Sequence, residues 1–269
     1  MIVISSALVL AQQSGDVDGD LPAVGWRNVV TAGSIVADTQ EANFPASNLA
    51  NPATHLEWRA ADDSEQYLTV TTNETDDIDY VGIAKHNFGS AEIPVSVEAY
   101  DGANWNEIVE EVMLADDGPV ILRFEAQSIG QLRIRLQAGS DNPRAAVVYV
   151  GKLLDLERKV YVGHTPLPDG IEAEIANGRS ESGNFLGRIV LGEWRASPVP
   201  LSLISPAWFR EHMRPFLKAA NETPFFFAWR PASYPYETGY AWFTGSVPKP
   251  APAGPSNLIA MDWQLSGIV

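Results

Sequence analysis

The chain has 269 residues, 45% apolar and 19% charged, with 34 acidic against 18 basic side chains and a net charge of −16. It lacks the clustered Lys and Arg that phosphate-backbone binding requires, and with no cysteine it has neither disulfides nor thiolate metal ligands. The charge is uneven: residues 1–160 hold 25 acids and 10 bases, residues 161–269 hold 9 and 8, which predicts a solvated acidic body (1–160) and a second part (161–269) that tolerates a neighbour.

The N-terminal MIVISSALVLAQQ has no basic residue ahead of a short apolar run broken by Ser5 and Ser6, so it predicts a first β-strand rather than a secretory leader. No apolar run reaches the ~20 residues of a membrane span, and no membrane insertion is expected. DVDGD (Asp16, Asp18, Asp20) is similar to a calcium loop, but Gly19 comes too early and position twelve is Arg27, so a solvated turn is expected. A second acidic cluster, TDDIDY (Thr75–Tyr80), reads as a polar loop before a strand.

Short runs bounded by Gly, Asp, Asn or Pro follow: QYLTVTT (66–72), YVGIAKH (80–86), VSVEAY (95–100), VILRF (120–124), QLRIRLQ (131–137) and AAVVYVGKLL (145–154). Several alternate at period two, which predicts strands of an antiparallel sandwich or jelly roll. The last is apolar on both faces and suits a central strand. Beyond GHTPLPDG (163–170), IEAEIANG and NFLGRIVLGEWRA read as further strands. SPAWFREHM (205–213) predicts a helix capped by Ser205, with Trp208, Phe209, His212 and Met213 on its apolar side, and Pro215 is expected to kink or end it. PFFFAWRP predicts a strand with Phe225, Phe227 and Trp229 on one face and Phe226 and Ala228 on the other, needing cover on both. Tyr234, Tyr236 and Tyr240 read as the adjoining loop, and NLIAMDWQLSGIV as a final strand.

Three ordered motifs carry a resemblance. Phe44-Pro45-Ala46 leads to Trp58, Asp101-Gly102 precedes Trp105 in a hairpin, and Arg133 and Arg135 lie on a later strand. Over roughly residues 30–155 the chain resembles the galactose-binding-like (discoidin-type) β-sandwich. GNFLGRIVLGEWR and LSLISPAWFREHMRPFLKAANETPFFFAWRPASYPYETGYAW resemble the C-terminal part of minor tail proteins of long-tailed bacteriophages. The fold expected is all-β: a galactose-binding-like jelly-roll sandwich (1–160) followed by a β-rich tail-assembly domain (161–269) with one short helix.

The resemblance implies a structural component of the distal tail ring or hub, between tail tube and host-contacting parts. The second reading is a saccharide-binding adhesin touching the host envelope, and the third a glycan-processing enzyme carrying this sandwich as an accessory. Sandwiches of this type bind sugars through loops at one end, which makes His86, Asn87, Arg59, Arg133 and Arg135 candidate ligand residues. Arg133 and Arg135 share a strand face and equally well neutralise neighbouring acids. Trp58 and Trp105 can stack a sugar, but core plugs are the favoured reading. Phe226, Tyr234, Tyr236 and Tyr240 are the candidate assembly residues. No HExxH, close His pair or GxSxG elbow is present, so no catalytic residue, cofactor or assignable metal ligand is expected, while the discoidin-type resemblance leaves a structural calcium open. The expected partners are other copies in a ring and other tail proteins, with host surface polysaccharide under the second reading.

Overall fold

The computed structural model describes residues 1–13, 18–72, 77–160, 162–253 and 257–269. In chain order the first part gives β1 (Ile2–Ile4), α1 (Ser6–Gln13), β2 (Ala23–Gly25), β3 (Ile35–Ala37), β4 (Trp58–Arg59), β5 (Gln66–Thr71) and β6 (Ile78–His86). It continues through β7 (Val95–Tyr100), β8 (Trp105–Val112), β9 (Val120–Gln127), β10 (Gln131–Leu136), β11 (Arg144–Gly151) and β12 (Leu154–Asp155). Then come β13 (Ile171–Arg179), β14 (Phe185–Ile204), a helix α2 (206–219), β15 (Phe225–Ala228), β16 (Thr238–Phe243), β17 (Ala251–Ala253) and β18 (Leu258–Ile268).

Two five-stranded sheets form the sandwich, in the orders β3-β5-β10-β7-β8 and β1-β9-β6-β11-β4. Between them lies one core, in which Leu68, Val81, Ile83, Val97, Phe124, Ile134 and Val148 meet Trp58. Trp58 is fully buried and its indole N–H donates to Thr39 O at 3.0 Å, so it plugs the core as expected. Trp105 does not. It pairs with Tyr100 across β7 and β8 and stands on the outer face, half-buried, because the Asp101-Gly102 turn is tight and leaves no overhang to fold inward. Asp101 Oδ1 closes that turn by accepting from Ala103 and Asn104 N–H, with Gly102 at φ 98°.

The second sheet system runs β12-β2-β15-β16-β18-β14-β13, with β17 beside β18. Its strands come from both sides of residue 160: β2 pairs with β15, and Phe227 sits opposite Val24. One face packs on α2 through Phe209, Met213, Phe216, Phe225, Phe227 and Trp263. The other lies on the outer face of the β6/β9/β11 sheet, where Ala84, Ile121, Val147, Tyr80 and Tyr149 meet Phe226, Ala228 and Tyr240. The sandwich sheet that holds β6 and β11 is therefore buried on both faces, the physical reason these strands read as near-continuous apolar runs.

α2 comprises Pro206–Trp208, a π-turn at Phe209–Met213 and Arg214–Ala219 without a break. Ser205 caps it as expected, its hydroxyl accepting from Trp208 N–H at 3.4 Å. Pro215 does not end it. The ladder shifts to i→i−5 just ahead of the proline, Arg214 N–H donating to Phe209 O, and this widening accommodates a residue that cannot donate. The π-turn also rotates His212 outward, so it is exposed rather than packed. The N-terminus is a strand only over Ile2–Ile4, parallel to β9, and then turns helical.

Candidate functional site

The sequence-predicted ligand residues are occupied by the chain itself. His86 is buried at the end of β6; its Nε2 donates to Gly118 O at 2.8 Å and its Nδ1 accepts from Phe88 N–H at 3.2 Å. Burial pushes its pKa down to about 4, so the ring is neutral. Asn87, equally buried, donates to Asn142 O at 3.0 Å and accepts from Arg144 N–H at 2.9 Å, joining two loops. Arg59 pairs with Glu57 at 2.8 Å and lies over the Phe44 ring. Arg135 pairs with Glu65 at 2.6 Å. Arg133 pairs with Glu98 at 2.5 Å and is stacked between Tyr67 and Trp105, with 4.1 and 4.4 Å from the guanidinium carbon to the ring centroids. The two arginines thus neutralise acids on the outer face of β10 and do not converge on a cavity.

The candidate assembly residues divide. Phe226 and Tyr240 are covered from within the chain and do not reach its surface, so they belong to the junction and not to an interface between copies. Tyr240 lies on β16 rather than in a loop, and its hydroxyl donates to Pro52 O at 2.9 Å. Desolvation holds its pKa above the usual phenol range, and pushes that of Tyr149 up to about 12. Tyr234 is partly exposed but stacks flat on Trp229 at 5.2 Å between centroids. Tyr236, 64% exposed, faces solvent.

Of the DVDGD acids, Asp16 lies outside the described residues. Asp18 pairs with Lys159 at 2.8 Å. Asp20 pairs with Arg230 at 2.8 Å and accepts from Ser233 N–H and Oγ at 2.9 and 2.7 Å. This acid therefore fixes the turn that carries Tyr234 and Tyr236 instead of lining a metal loop. Of TDDIDY, Thr75 and Asp76 lie outside the described residues, and Asp79 is buried, accepting from Leu153 N–H at 2.7 Å. Among the described residues no three His, Asp or Glu side chains are grouped to hold a metal.

Among the described residues, two surfaces have groups to offer. The first is the hairpin of β13 and the first half of β14. From Ile171 to Ala196 no residue is buried, and Ile171, Phe185, Leu186, Ile189, Val190, Leu191 and Trp194 are each 44% exposed or more. β13 is the last strand of its sheet, so its outer backbone edge is open as well. The run FLGRIVLGEWR signalled this in the sequence: apolar residues on both faces of a strand require cover on both.

The second is a groove of about 830 Å³ where the loop end of the sandwich meets the 230s turn, lined by Glu57, Lys85, the sequence-predicted His86, Asp117, Arg144 and Tyr236 among others. Lys85 and Arg144 are exposed, and among the described residues neither forms an ion pair with another side chain. Lys85 adopts φ 56°, a conformation that is uncommon for a non-glycine residue.

The sandwich is a pair of five-stranded sheets, joined to a second β-rich part with one longer helix. Neither a family model nor a curated protein matches the sequence. Among solved structures the chain is similar to chitosan-binding module 1 of a chitosanase/glucanase from Paenibacillus sp. IK-5, at 17% identity and TM-score 0.40, over 46% of this chain and 98% of that one. It is similar to a pectin-binding carbohydrate-binding module at 16% identity and TM-score 0.38, over 46% and 91%. A third is CpGH89CBM32-5 from Clostridium perfringens, in complex with GalNAc-beta-1,3-galactose, at 15% and 0.39, over 45% and 96%.

Proposed function

We propose that the protein is a structural subunit of a bacteriophage tail tip, part of the distal ring or hub of the virion, and that copies of it associate with one another. One observation carries this reading: an arm of two strands, apolar on both faces and open along one edge, with no residue buried from Ile171 to Ala196. Chains that act alone rarely leave so much contiguous apolar surface in water, and an open edge strand is a template for pairing. A second copy satisfies both needs, and a closed ring of such contacts is cyclic and heterologous. The role is one of assembly and not catalysis. The resemblance read from the sequence over residues 183–195 and 201–242 is what suggests the setting, and the acidic sandwich suits the outward position.

Sedimentation of the purified chain gives the first test: self-association that is lost when the arm is made polar. A map of assembled tails is the second. Residues 1–160 at the axis with the arm free in solvent would overturn the reading.

A second reading, a saccharide-binding module that touches the host envelope, is favoured by the groove at the loop end of the sandwich. Its lining mixes an exposed tyrosine, Lys85, Arg144 and several carboxylates, the group types that hydrogen-bond and stack on sugars.

A further inference from the structure

We propose that the tip of the arm of one copy docks in a cleft between α2 and β17 of the next; the proposal rests on the self-association reading above and names the surface that receives the arm. The cleft measures about 550 Å³ and is lined by Phe209, Arg210, Arg214, Pro250, Pro252 and Ile259 among others. Its walls are largely apolar, and the prolines, with φ fixed by their rings, give it a preformed shape. Among the described residues that line it, the two arginines are the only charged ones. α2 sorts its charges: Arg210 and Arg214, four apart, share one side of the helix, while Glu211 and His212 line a separate cavity beside Trp26. Both arginines are exposed. Arg210 gives one N–H to Pro206 O at 3.2 Å.

The tip of the arm brings matching groups. The hairpin turns over residues 180–184, where Gly183 N–H donates to Ser180 O and Ser180 N–H to Asn184 O, both at 2.9 Å. Asn184 N–H also donates to Ser180 Oγ at 3.0 Å. A tip ordered in this way before contact loses little freedom on docking. Phe185 and Leu186 follow the turn, 66% and 68% exposed. Adjacent strand residues face opposite ways, so a flat surface would cover only one of them, whereas a cleft closes over both. Glu181 is exposed in the turn itself. Arg179, across the ladder from Phe185, is the other charge of the tip, and residues 171–196 together hold four acids against three bases. An arm that leans acidic thus meets a cleft whose charged groups are both cations.

β14 sets the two surfaces apart. Phe185 opens the strand and Ile204 closes it, with Pro206 of the cleft two residues further on. Its 20 residues span roughly 60 Å of contour at ~3.3 Å each, and β18 holds the second half in the sheet. The tip therefore does not reach the cleft of its own chain. A contact of tip with cleft joins unlike surfaces, so it is heterologous and repeats from copy to copy, closing where the rotation closes. It also covers the faces of the tip, which pairing along the open edge of β13 alone leaves bare.

The experiment uses the full chain. Phe185→p-benzoyl-phenylalanine is irradiated at concentrations where the parent associates, and the crosslinked peptides are mapped by mass spectrometry. Crosslinks between copies are expected within residues 206–214 or in β17. Glu181→Lys, and separately Arg210→Glu with Arg214→Glu, are each expected to weaken self-association about tenfold or more, because like charges then face one another across the contact. All three substitutions in one chain are expected to restore it. Melting temperatures stay near the parent's, since these side chains are exposed. An associated chain whose crosslinks between copies are absent or fall on another surface overturns the cleft and leaves association through the arm standing. A combined variant as weak as the separate ones has the same meaning. A parent chain that is monomeric at every accessible concentration overturns the reading beneath the proposal, and the proposal with it.

Discussion

The ring of Phe226 lies directly on Gly82: a Cβ built at that glycine would fall 2.6 Å from Phe226 Cε2. The contact is reciprocated, since Gly25 of the second sheet accepts the Tyr80 ring of the sandwich, where a Cβ would come within 2.7 Å. Each sheet thus receives an aromatic ring of the other against bare backbone. Gly82→Ala is expected to destabilise the chain by ~1–3 kcal/mol through overpacking. Urea unfolding followed by tryptophan fluorescence measures it, and an unchanged midpoint would show that the junction is looser than these distances.

Phe226→Ala removes the ring from the other side and is expected to cost ~3–5 kcal/mol, as large aromatic truncations in cores do. The double variant Gly82→Ala/Phe226→Ala is then less destabilised than the sum of the two, since the added methyl enters the space the ring vacates. Strict additivity in a double-mutant cycle contradicts the contact.

Two buried groups give opposed pH dependences. Asp79 is raised from 3.8 to about 6 by desolvation, against the Leu153 N–H bond and nearby Arg123. Between those values the folded chain keeps a proton that the unfolded chain has released, so stability falls as pH rises, by about 3 kcal/mol in all. His86 is lowered from 6.5 to about 4, again chiefly by desolvation. There the unfolded chain binds the extra proton, so stability rises with pH across that window by about the same amount, ~3 kcal/mol. The two contributions nearly cancel between pH 4 and 6. Asp79→Asn, which keeps an acceptor for Leu153, is expected to leave the His86 term alone: stability climbs with pH from 4 to 6.5, and the variant exceeds the parent at pH 7. Denaturant midpoints at half-unit pH steps decide it, and coincident profiles of variant and parent would refute it.

The arm makes a different prediction, one about association and not stability. Ile189→Ser with Leu191→Ser is expected to abolish self-association in sedimentation velocity while the melting temperature stays near the parent's, because neither side chain is packed within the chain and surface substitutions rarely exceed ~0.5 kcal/mol. A parent chain that is monomeric at every accessible concentration contradicts the proposal.

Much of the sandwich was legible because its strands obey period two. VSVEAY is a strand over the residues expected, 95–100, and QLRIRLQ and QYLTVTT differ from theirs by one residue. AAVVYVGKLL announced a strand buried on both faces. The aromatic stretch was half legible: the two-faced pattern of Phe225, Phe226 and Phe227 correctly demanded cover on both sides, but nothing local told that the cover was the chain's own sandwich. That fact depends on β2, three residues some two hundred positions away, pairing with β15, and pairings at such separations leave no periodic trace. His86 and Asn87 read as ligand residues because polar side chains at a strand end are ambiguous until their partners are seen. The groove was legible only in part: His86 and Tyr236 line it and were singled out, but their meeting with Lys85 and Arg144 exists only in space.

β14 has a further consequence. It spans Phe185–Ile204 as one strand, paired to β13 over its first half and to β18 over its second. The same backbone that projects into solvent is anchored, a few residues on, beside Trp263 and Leu265 in the interior. The root of this projection is held by the ladder to β18 from Arg195 on, and an irregularity opposite Glu174 and Ile175 bends the arm beyond it. At ~3.3 Å per residue its reach is set by the length of β14, and any spacing between copies that it dictates is written into that one strand.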